Sequence, residues 1–267
     1  MSIEPFFCHI ISVSRINNWR HKEENMYKMD IQVRYSEVDR YGKTQLHQIL
    51  EYFQDCGVFQ TVDLGFGKTG SDNEKQAWYL IAWDVQIRRY PSMCEKLSII
   101  TEPYKMRGFY GYRRYKIIDE DQNIIVEADS IWIFMDIEKM VPVKIPEYLT
   151  KGYIEEGVDE TIQVERKLSA KGDWKKVDTI VVPKIFLDSN EHVNNAYYVL
   201  WAEEVLPEGY YVTDLKVDYR QAALLNDEIH IYITQEGNIW KVKYVNQEDQ
   251  LNAVIVMTVK KKEKTDI

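Results

Sequence analysis

The sequence predicts an α+β fold made of two similar units, each an antiparallel sheet with a long helix packed on one face. Three observations predict it: a polar turn leading into a helix-like run occurs twice, a strand pattern recurs at a fixed separation, and polar turns divide the remaining strands. Because an internal repeat sets the architecture of a chain, these observations carry more weight than any single residue propensity.

The turn and helix begin at an aspartate in both halves of the chain. Residues 39–43, DRYGK, lead into a helix-like run over 45–59, and residues 188–192, DSNEH, lead into another over 194–205. In both runs apolar residues recur at helical spacing, which is typical of a helix with one buried face. Each unit is therefore predicted to contain one long helix entered through a tight turn.

Strands account for the rest of each unit. Five residues between positions 85 and 97 match residues between 217 and 229 without a gap, at one separation of 132 residues. Polar turns at 119–123 and 246–249 divide runs rich in β-branched and aromatic residues, which indicates an antiparallel meander in both halves. The predicted strands are 27–35, 78–89, 97–101, 110–118 and 124–136 in the first unit, and 213–219, 228–235, 239–245 and 253–259 in the second.

These patterns divide the chain into four parts. Residues 26–146 form the N-terminal unit and residues 177–263 the C-terminal unit, joined by a linker over 147–176 that begins with a short helix. Residues 1–25 look unlike the rest of the chain and are predicted to be an extension without a part in function.

Composition excludes some classes of protein. The chain carries a net charge of -9, which makes nucleic acid an unexpected partner because phosphates are bound through basic faces. Three cysteines without a CxxC pair are typical of a reducing compartment. No run has the roughly 20 apolar residues of a membrane span. We therefore predict a cytoplasmic protein that uses no metal or other cofactor.

The run over 187–195, LDSNEHVNN, resembles the active-site motif of the acyl-acyl carrier protein thioesterases of plants and bacteria. Further stretches occur in that family's order at 83–91, 108–114, 130–132 and 144–146. The resemblance covers residues 26–260 and implies two tandem hotdog folds, with catalysis in the C-terminal unit and the acyl-chain pocket in the N-terminal unit. It implies hydrolysis of fatty acyl-carrier thioesters. An acyl-CoA thioesterase of the same fold and a non-catalytic acyl-binding protein are the alternatives.

Thioester hydrolysis needs a base for the attacking water and donors for the oxyanion. Histidine titrates near neutrality, so His192 is the predicted base or proton shuttle, with Asp188 to orient its ring. Asn190 is predicted to hold the water, and the N–H groups of Val193 and Asn194 at the start of the helix are predicted to bind the oxyanion. Spacing alone is also compatible with a helix cap beside a structural histidine, and the resemblance favours catalysis.

One position departs from the family pattern. Similar enzymes carry a glutamate or cysteine on the strand after the helix, at a position that falls on Ala222 here. Alanine cannot transfer a proton, and Gln221 is expected on the opposite side of the strand. Either His192 and its neighbours suffice, or another carboxylate, Glu203 or Glu228, replaces the missing one, or activity is low.

Two further sets of residues complete the expected site. Aromatic side chains of the first unit are predicted to line the acyl pocket, namely Phe53, Phe59, Trp78 and Trp83. The densest basic grouping of that unit is predicted to bind the acidic carrier protein and its phosphopantetheine phosphate through Arg88, Arg89, Arg113 and Arg114. Solvated strand faces are the alternative interpretation of these arginines, and assembly into a homodimer is left open.

Overall fold

A computed structural model of the protein describes residues 26–66, 75–154, 161–162 and 164–262. The predicted extension over 1–25 and part of the predicted linker lie outside the described residues. The helices are α1 Leu46–Asp63, α2 Glu147–Tyr153 and α3 Asn195–Glu204. The strands are β1 Tyr27–Gln32, β2 Gln76–Ile87, β3 Lys96–Arg107, β4 Tyr110–Ile118, β5 Ile124–Asp136, β6 Val141–Pro142, β7 Lys175–Val181, β8 Tyr210–Tyr219, β9 Glu228–Glu236, β10 Ile239–Asn246 and β11 Leu251–Lys261.

One antiparallel sheet runs through both units. Among the described residues, 11 strands form it in the order β1-β3-β4-β5-β2-β8-β11-β10-β9-β7, with β6 paired to β5. The predicted α+β class is confirmed, but the sheets of the two units are not separate. Strand β2 of the first unit pairs with β8 of the second, from Ala82 opposite Asp218 to Gln86 opposite Asp214.

The repeat in the sequence corresponds to an approximate twofold axis in the structure. Asp84 in β2 lies directly opposite Lys216 in β8, and these two residues are 132 positions apart. The separation between the matching strand patterns therefore relates residues that face each other across the junction. Lys216 Nζ lies 3.4 Å from the Asp84 carboxylate, an ion pair that joins the units at this axis.

The two long helices share one hydrophobic core. The cluster of buried residues that contains Leu50 and Phe53 of α1 also contains Tyr198 and Val199 of α3 and residues from both halves of the sheet. Helix α1 follows the apolar spacing predicted for 45–59 and continues to Asp63. A common core fixes the two helices relative to each other, so residues of both can line one cavity.

In the segment between the units, Val164 and Leu168 lie on the face of the sheet opposite α1 and α3. The short helix predicted at its start is α2. Val164 packs against Ala82 and Ile131, and the Leu168 N–H donates to the Asp218 carboxylate at 3.0 Å. Strand β7 begins at Lys175, slightly before the predicted start of the second unit. Within the described ranges, no helix is long and apolar enough to cross a membrane.

Candidate active site

The loop before α3 is built around the carboxylate of Asp188. Its Oδ1 accepts hydrogen bonds from the backbone N–H groups of Asn190 at 2.7 Å and His192 at 3.3 Å. The Asp188 N–H in turn donates to the His192 carbonyl at 2.8 Å, and Glu191 takes a φ of 61° inside the turn. An aspartate that binds backbone N–H groups ahead of it stabilises a tight turn, so the backbone of His192 is fixed before α3 begins.

The same loop occurs in the first unit without the histidine. Asp39 Oδ1 accepts hydrogen bonds from the N–H groups of Tyr41 at 2.9 Å and Lys43 at 3.0 Å. Lys43 occupies the position of His192, and its ammonium group donates to the Ser92 hydroxyl at 3.0 Å. The predicted repeat of the turn is confirmed in its hydrogen bonds. Of the two loops, the one in the second unit carries an imidazole.

The first-unit loop indicates a different role for Asp188 from the one predicted. The sequence predicts that Asp188 orients the ring of His192, but its carboxylate binds backbone N–H groups, and no hydrogen bond to the ring is formed among the described residues. Asp39 makes the same bonds in a loop that has no histidine. Asp188 therefore does not orient the ring through a direct hydrogen bond. Asp188 shapes the turn that positions His192.

The two N–H groups predicted to bind the oxyanion already donate hydrogen bonds to backbone carbonyl groups. The Val193 N–H donates to the Ala223 carbonyl at 2.9 Å, and the Asn194 N–H donates to the Phe186 carbonyl at 2.9 Å. Neither group can bind a ligand without losing this bond, so the prediction is wrong for both.

The start of α3 nevertheless offers a donor. Asn194 is the helix cap, and its Oδ1 accepts from the Ala196 N–H at 3.0 Å. The next residue, Asn195, lines a cavity between this loop and the first unit, and its N–H has no acceptor among the described residues. A helix N–H without an intrahelical partner at the positive end of the helix dipole is suited to an anion.

The cavity has a volume of about 850 Å³ and joins the loop to the first unit. Asp188, Asn190 and His192 line it from the second unit. Tyr79 of β2 faces His192 from the first, with ring centroids 6.2 Å apart. Burial raises the pKa of Tyr79, and the Asp188 carboxylate raises it further. Nothing in the local sequence distinguishes Tyr79, because only the pairing of β2 with β8 brings it to this loop.

The four aromatic residues predicted to line the acyl pocket differ in their position relative to the cavity: one lines it, two lie behind its wall and one faces solvent. Trp78 lines the cavity. Phe53 and Trp83 are buried behind it and contact the cavity-lining Tyr115, with ring centroids 5.0 Å and 5.2 Å from it. Phe59 is 48% exposed on the solvent side of α1, so the prediction is wrong for this residue. Phe53 and Trp83 support the cavity wall from the core rather than forming its surface.

The region around Ala222 differs from the expected strand. Strand β8 ends at Tyr219, so the alternation of side chains expected for Gln221 and Ala222 does not apply, and both residues line the cavity. The Gln221 amide donates to the Gln250 side chain at 2.6 Å. Ala222 leaves this edge of the cavity without a proton-transferring group.

Neither glutamate considered as a replacement lies at the cavity. Glu228 lies on β9, with its carboxylate 3.5 Å from the His230 ring. Glu203 lies near the N-terminus of α1, where burial raises its pKa to about 7 and the nearby Leu46 N–H opposes that shift. Within the described ranges, no group of three or more His, Cys, Asp and Glu side chains could hold a metal ion.

The four arginines predicted to bind the carrier protein do not form one surface. Burial alternates along β4, so Arg113 faces the cavity, whereas Arg114 lies on the opposite face over the ring of Tyr104. Arg113 is only 9% exposed and lines the cavity, so it does not share an open surface with the other three arginines. Arg88 and Arg89 form ion pairs with acidic side chains of neighbouring strands and turns.

The curated relatives that match the chain are plant proteins. A chloroplastic acyl-[acyl-carrier-protein] hydrolase of Cuphea viscosissima is 26% identical over 215 residues, which cover 73% of this chain and 52% of the relative. A chloroplastic palmitoyl-acyl carrier protein thioesterase of Arabidopsis thaliana is 24% identical over 199 residues, which cover 69% of this chain and 48% of the relative. The chain spans about half the length of these relatives.

Solved structures share the whole architecture. The 12:0-ACP thioesterase of Umbellularia californica superposes with a TM-score of 0.76 at 17% identity, over 89% of this chain and 98% of that one. A putative oleoyl thioesterase of Lactobacillus plantarum superposes with a TM-score of 0.79 at 20% identity, over 90% of this chain and 98% of that one. At these identities the likeness shows the fold, two tandem hotdog folds, as the sequence predicts.

Two family models together match most of the chain. The acyl-ACP thioesterase N-terminal domain matches residues 24–153, and the acyl-ACP thioesterase C-terminal domain matches residues 171–265. The two matches follow the order of the two units, and the second match includes the loop around His192. The chain belongs to the acyl-acyl carrier protein thioesterase family.

Proposed function

We propose that this chain hydrolyses fatty acyl-acyl carrier protein thioesters to a free fatty acid and the carrier protein. The observation that carries the proposal is the position of His192, which lines the cavity from a loop whose first-unit counterpart has Lys43 instead. A partly buried imidazole beside a cavity shared by two units is suited to proton transfer near neutral pH. Catalysis is assigned to the second unit and the acyl-chain pocket to the first.

The proposed reaction needs one proton to move twice. His192 takes a proton from a water molecule, and the water oxygen attacks the thioester carbonyl carbon. The carbonyl oxygen becomes an oxyanion, for which the Asn195 N–H is the proposed donor. When the C–S bond breaks, the imidazolium returns the proton to the departing sulfur. Asn190, which is exposed at the cavity, is the proposed contact for the water.

The internal symmetry of the chain indicates that Gln54 replaces the carboxylate that is missing at Ala222. The loops and helices of the two units correspond at a separation of 149 residues, so Gln54 in α1 corresponds to Glu203 in α3. Glu203 lies beside the Leu46 N–H at the start of α1. The same relation brings Gln54 toward the start of α3, and Gln54 lines the cavity together with Asn195. The Gln54 amide is the proposed polar partner of the water beside His192.

Replacing Gln54 by leucine is expected to lower kcat by about tenfold or more, because a polar contact to the reacting water is lost while the apolar volume is kept. Steady-state hydrolysis measures the effect, and the free energy of unfolding should change little. Gln48→Leu is the matched control on the same helix, because Gln48 does not line the cavity. An unchanged kcat for Gln54→Leu would remove this residue from the mechanism.

The proposed function is tested by presenting one acyl chain on two carriers. We expect a higher kcat/KM for the chain on acyl carrier protein than for the same chain on CoA. The reverse order would support an acyl-CoA thioesterase. Absence of hydrolysis from either carrier, together with tight acyl binding, would support a non-catalytic protein, which is the alternative that Ala222 favours.

Three further assignments belong to this proposal. The acyl carrier protein is the proposed partner, and Arg88, Arg89 and Arg114 stay the predicted contacts for it, although all three already form ion pairs within the chain. A cytoplasmic location remains the prediction drawn from cysteine use. Assembly into a homodimer is left open, as it is from the sequence.

A further inference from the structure

We propose that the cavity contains a second, polar subsite, formed by Arg113 and Tyr115, which binds a carboxylate at the distal end of the acyl chain. The ligand class is the half-thioester of a dicarboxylic acid: a thioester at one end of the chain and a carboxylate at the other. The inference rests on the proposed function, because it specifies which acyl chains the same cavity accepts.

Arg113 is a buried cation whose polar partners are neutral. Its guanidinium donates hydrogen bonds to the Gln60 side-chain oxygen and to the Thr101 hydroxyl, the latter at 3.0 Å. It also lies over the rings of Tyr115 and Tyr153, at 5.9 Å and 5.7 Å from their centroids. Arg113 forms no ion pair with a carboxylate of the described residues.

A buried cation without a counter-ion is unfavourable unless a ligand supplies the opposite charge. A cavity wall that met only a hydrocarbon chain would need no guanidinium, and aliphatic or aromatic side chains would fill the same space at lower cost. The position of Arg113 on the cavity wall is therefore typical of a site for an anionic group.

The Tyr115 hydroxyl lies beside the same space. A Cβ atom at Gly57 of α1 would lie 3.1 Å from the Tyr115 oxygen and 3.9 Å from the guanidinium carbon of Arg113. This hydroxyl is buried and makes no hydrogen bond of normal geometry with any residue that the structure describes, although Thr101 and Ser130 lie near it. The glycine thus permits the close approach of this hydroxyl to α1, beside the Arg113 guanidinium on the same cavity wall.

This subsite lies in the first unit, whereas the thioester is expected in the second. The residues in contact with the Arg113 guanidinium come from the first unit and, in the case of Tyr153, from helix α2 directly after it. None of these residues comes from the second unit, so a chain whose carbonyl lies at His192 can reach the guanidinium only with its distal part. Glu51 and Asp55 of α1 also line the cavity. They repel a carboxylate from their own part of the wall and leave Arg113 with Tyr115 as the anion-binding part.

The test measures binding of pantetheine thioethers, which cannot be hydrolysed, by titration calorimetry. Analogues of graded chain length end in a methyl group, a hydroxyl group or a carboxylate. At one length in the series, the wild-type protein is expected to bind the carboxylate form about tenfold or more tightly than the methyl form, because a charge-assisted hydrogen bond is gained. Equal or tighter binding of the methyl form at every length would overturn the proposal, and so would equal binding of the hydroxyl form.

Variants locate the effect. Arg113→Gln is expected to abolish the preference for the carboxylate, whereas Lys116→Gln, the same charge change on the opposite face of β4, keeps it. Tyr115→Phe removes one hydroxyl and keeps the ring, and it should reduce the preference severalfold even if Arg113→Gln does not fold. A preference unchanged in Tyr115→Phe or in a folded Arg113→Gln would contradict the proposal. Because the probes are not substrates, failure of hydrolysis and failure of this subsite give different results.

Discussion

The variant His192→Ala is expected to lose thioester hydrolysis by about 100- to 10,000-fold in kcat, the range that a general base contributes. The imidazole lines the cavity, and the described residues place no other histidine there. KM should change less than kcat, because alanine removes the base and leaves the cavity walls in place. Steady-state kinetics on one acyl-carrier substrate measures both constants.

The control is His230→Ala. His230 lies on β9, where its ring contacts Lys176 and Thr179 rather than the cavity. This variant should retain activity close to that of the wild type. Unfolding curves for both variants separate loss of catalysis from loss of structure. Full activity in a folded His192→Ala protein would show that the reaction does not pass through this imidazole.

The position of His192 could be predicted because its loop is local and repeated. Aspartate, a turn and a helix start lie within a few residues of one another, and short-range hydrogen bonds determine their geometry. The first-unit loop around Asp39 repeats that geometry with a different functional residue. The role of Asp188 could be decided only when both loops were compared at the level of their hydrogen bonds.

Two errors concern information that the sequence does contain. Arg113 and Arg114 are neighbours on a strand, so the twofold alternation of side chains already excludes one docking surface for both. Phe53 and Phe59 are six residues apart on a helix, which places them about 120° apart around its axis. In both pairs, the periodicity that predicts the strand or helix also places the two residues on different faces of it.

Other features depend on tertiary pairing and leave no local signal. The occupied N–H groups of Val193 and Asn194 donate to carbonyls of Ala223 and Phe186, which the fold brings to them. Tyr79 and Gln54 reach the cavity because β2 pairs with β8 and because the units are related by a twofold axis. The matching strand patterns indicated that axis, since Asp84 and Lys216, which are 132 residues apart, lie opposite each other at the centre of the junction. Only the register of the pairing between β2 and β8 shows which residues the axis brings to the catalytic loop.

The largest expected effect on stability is that of Phe53→Ala. Phe53 is fully buried, and its ring packs against Trp83 and Tyr115 with centroids 5.9 Å and 5.0 Å away. Removing the ring loses its transfer free energy and leaves a void that the surrounding aromatic side chains can fill only in part. We expect the free energy of unfolding to fall by about 3–5 kcal/mol. Urea denaturation measures this fall as a lower midpoint at an unchanged slope.

Phe59→Ala is the matched control, because it makes the same chemical change on the same helix. Phe59 is 48% exposed, so about half of its surface is already in water, and the loss of unfolding free energy should be about 0.5 kcal/mol. Similar losses for the two variants would mean that the two rings are buried to a similar extent, contrary to the structure. A large difference would establish that α1 turns one face to the shared core and the other to solvent. The wall around Tyr115 would then depend on Phe53 for its support, because the ring of Phe53 lies directly behind it.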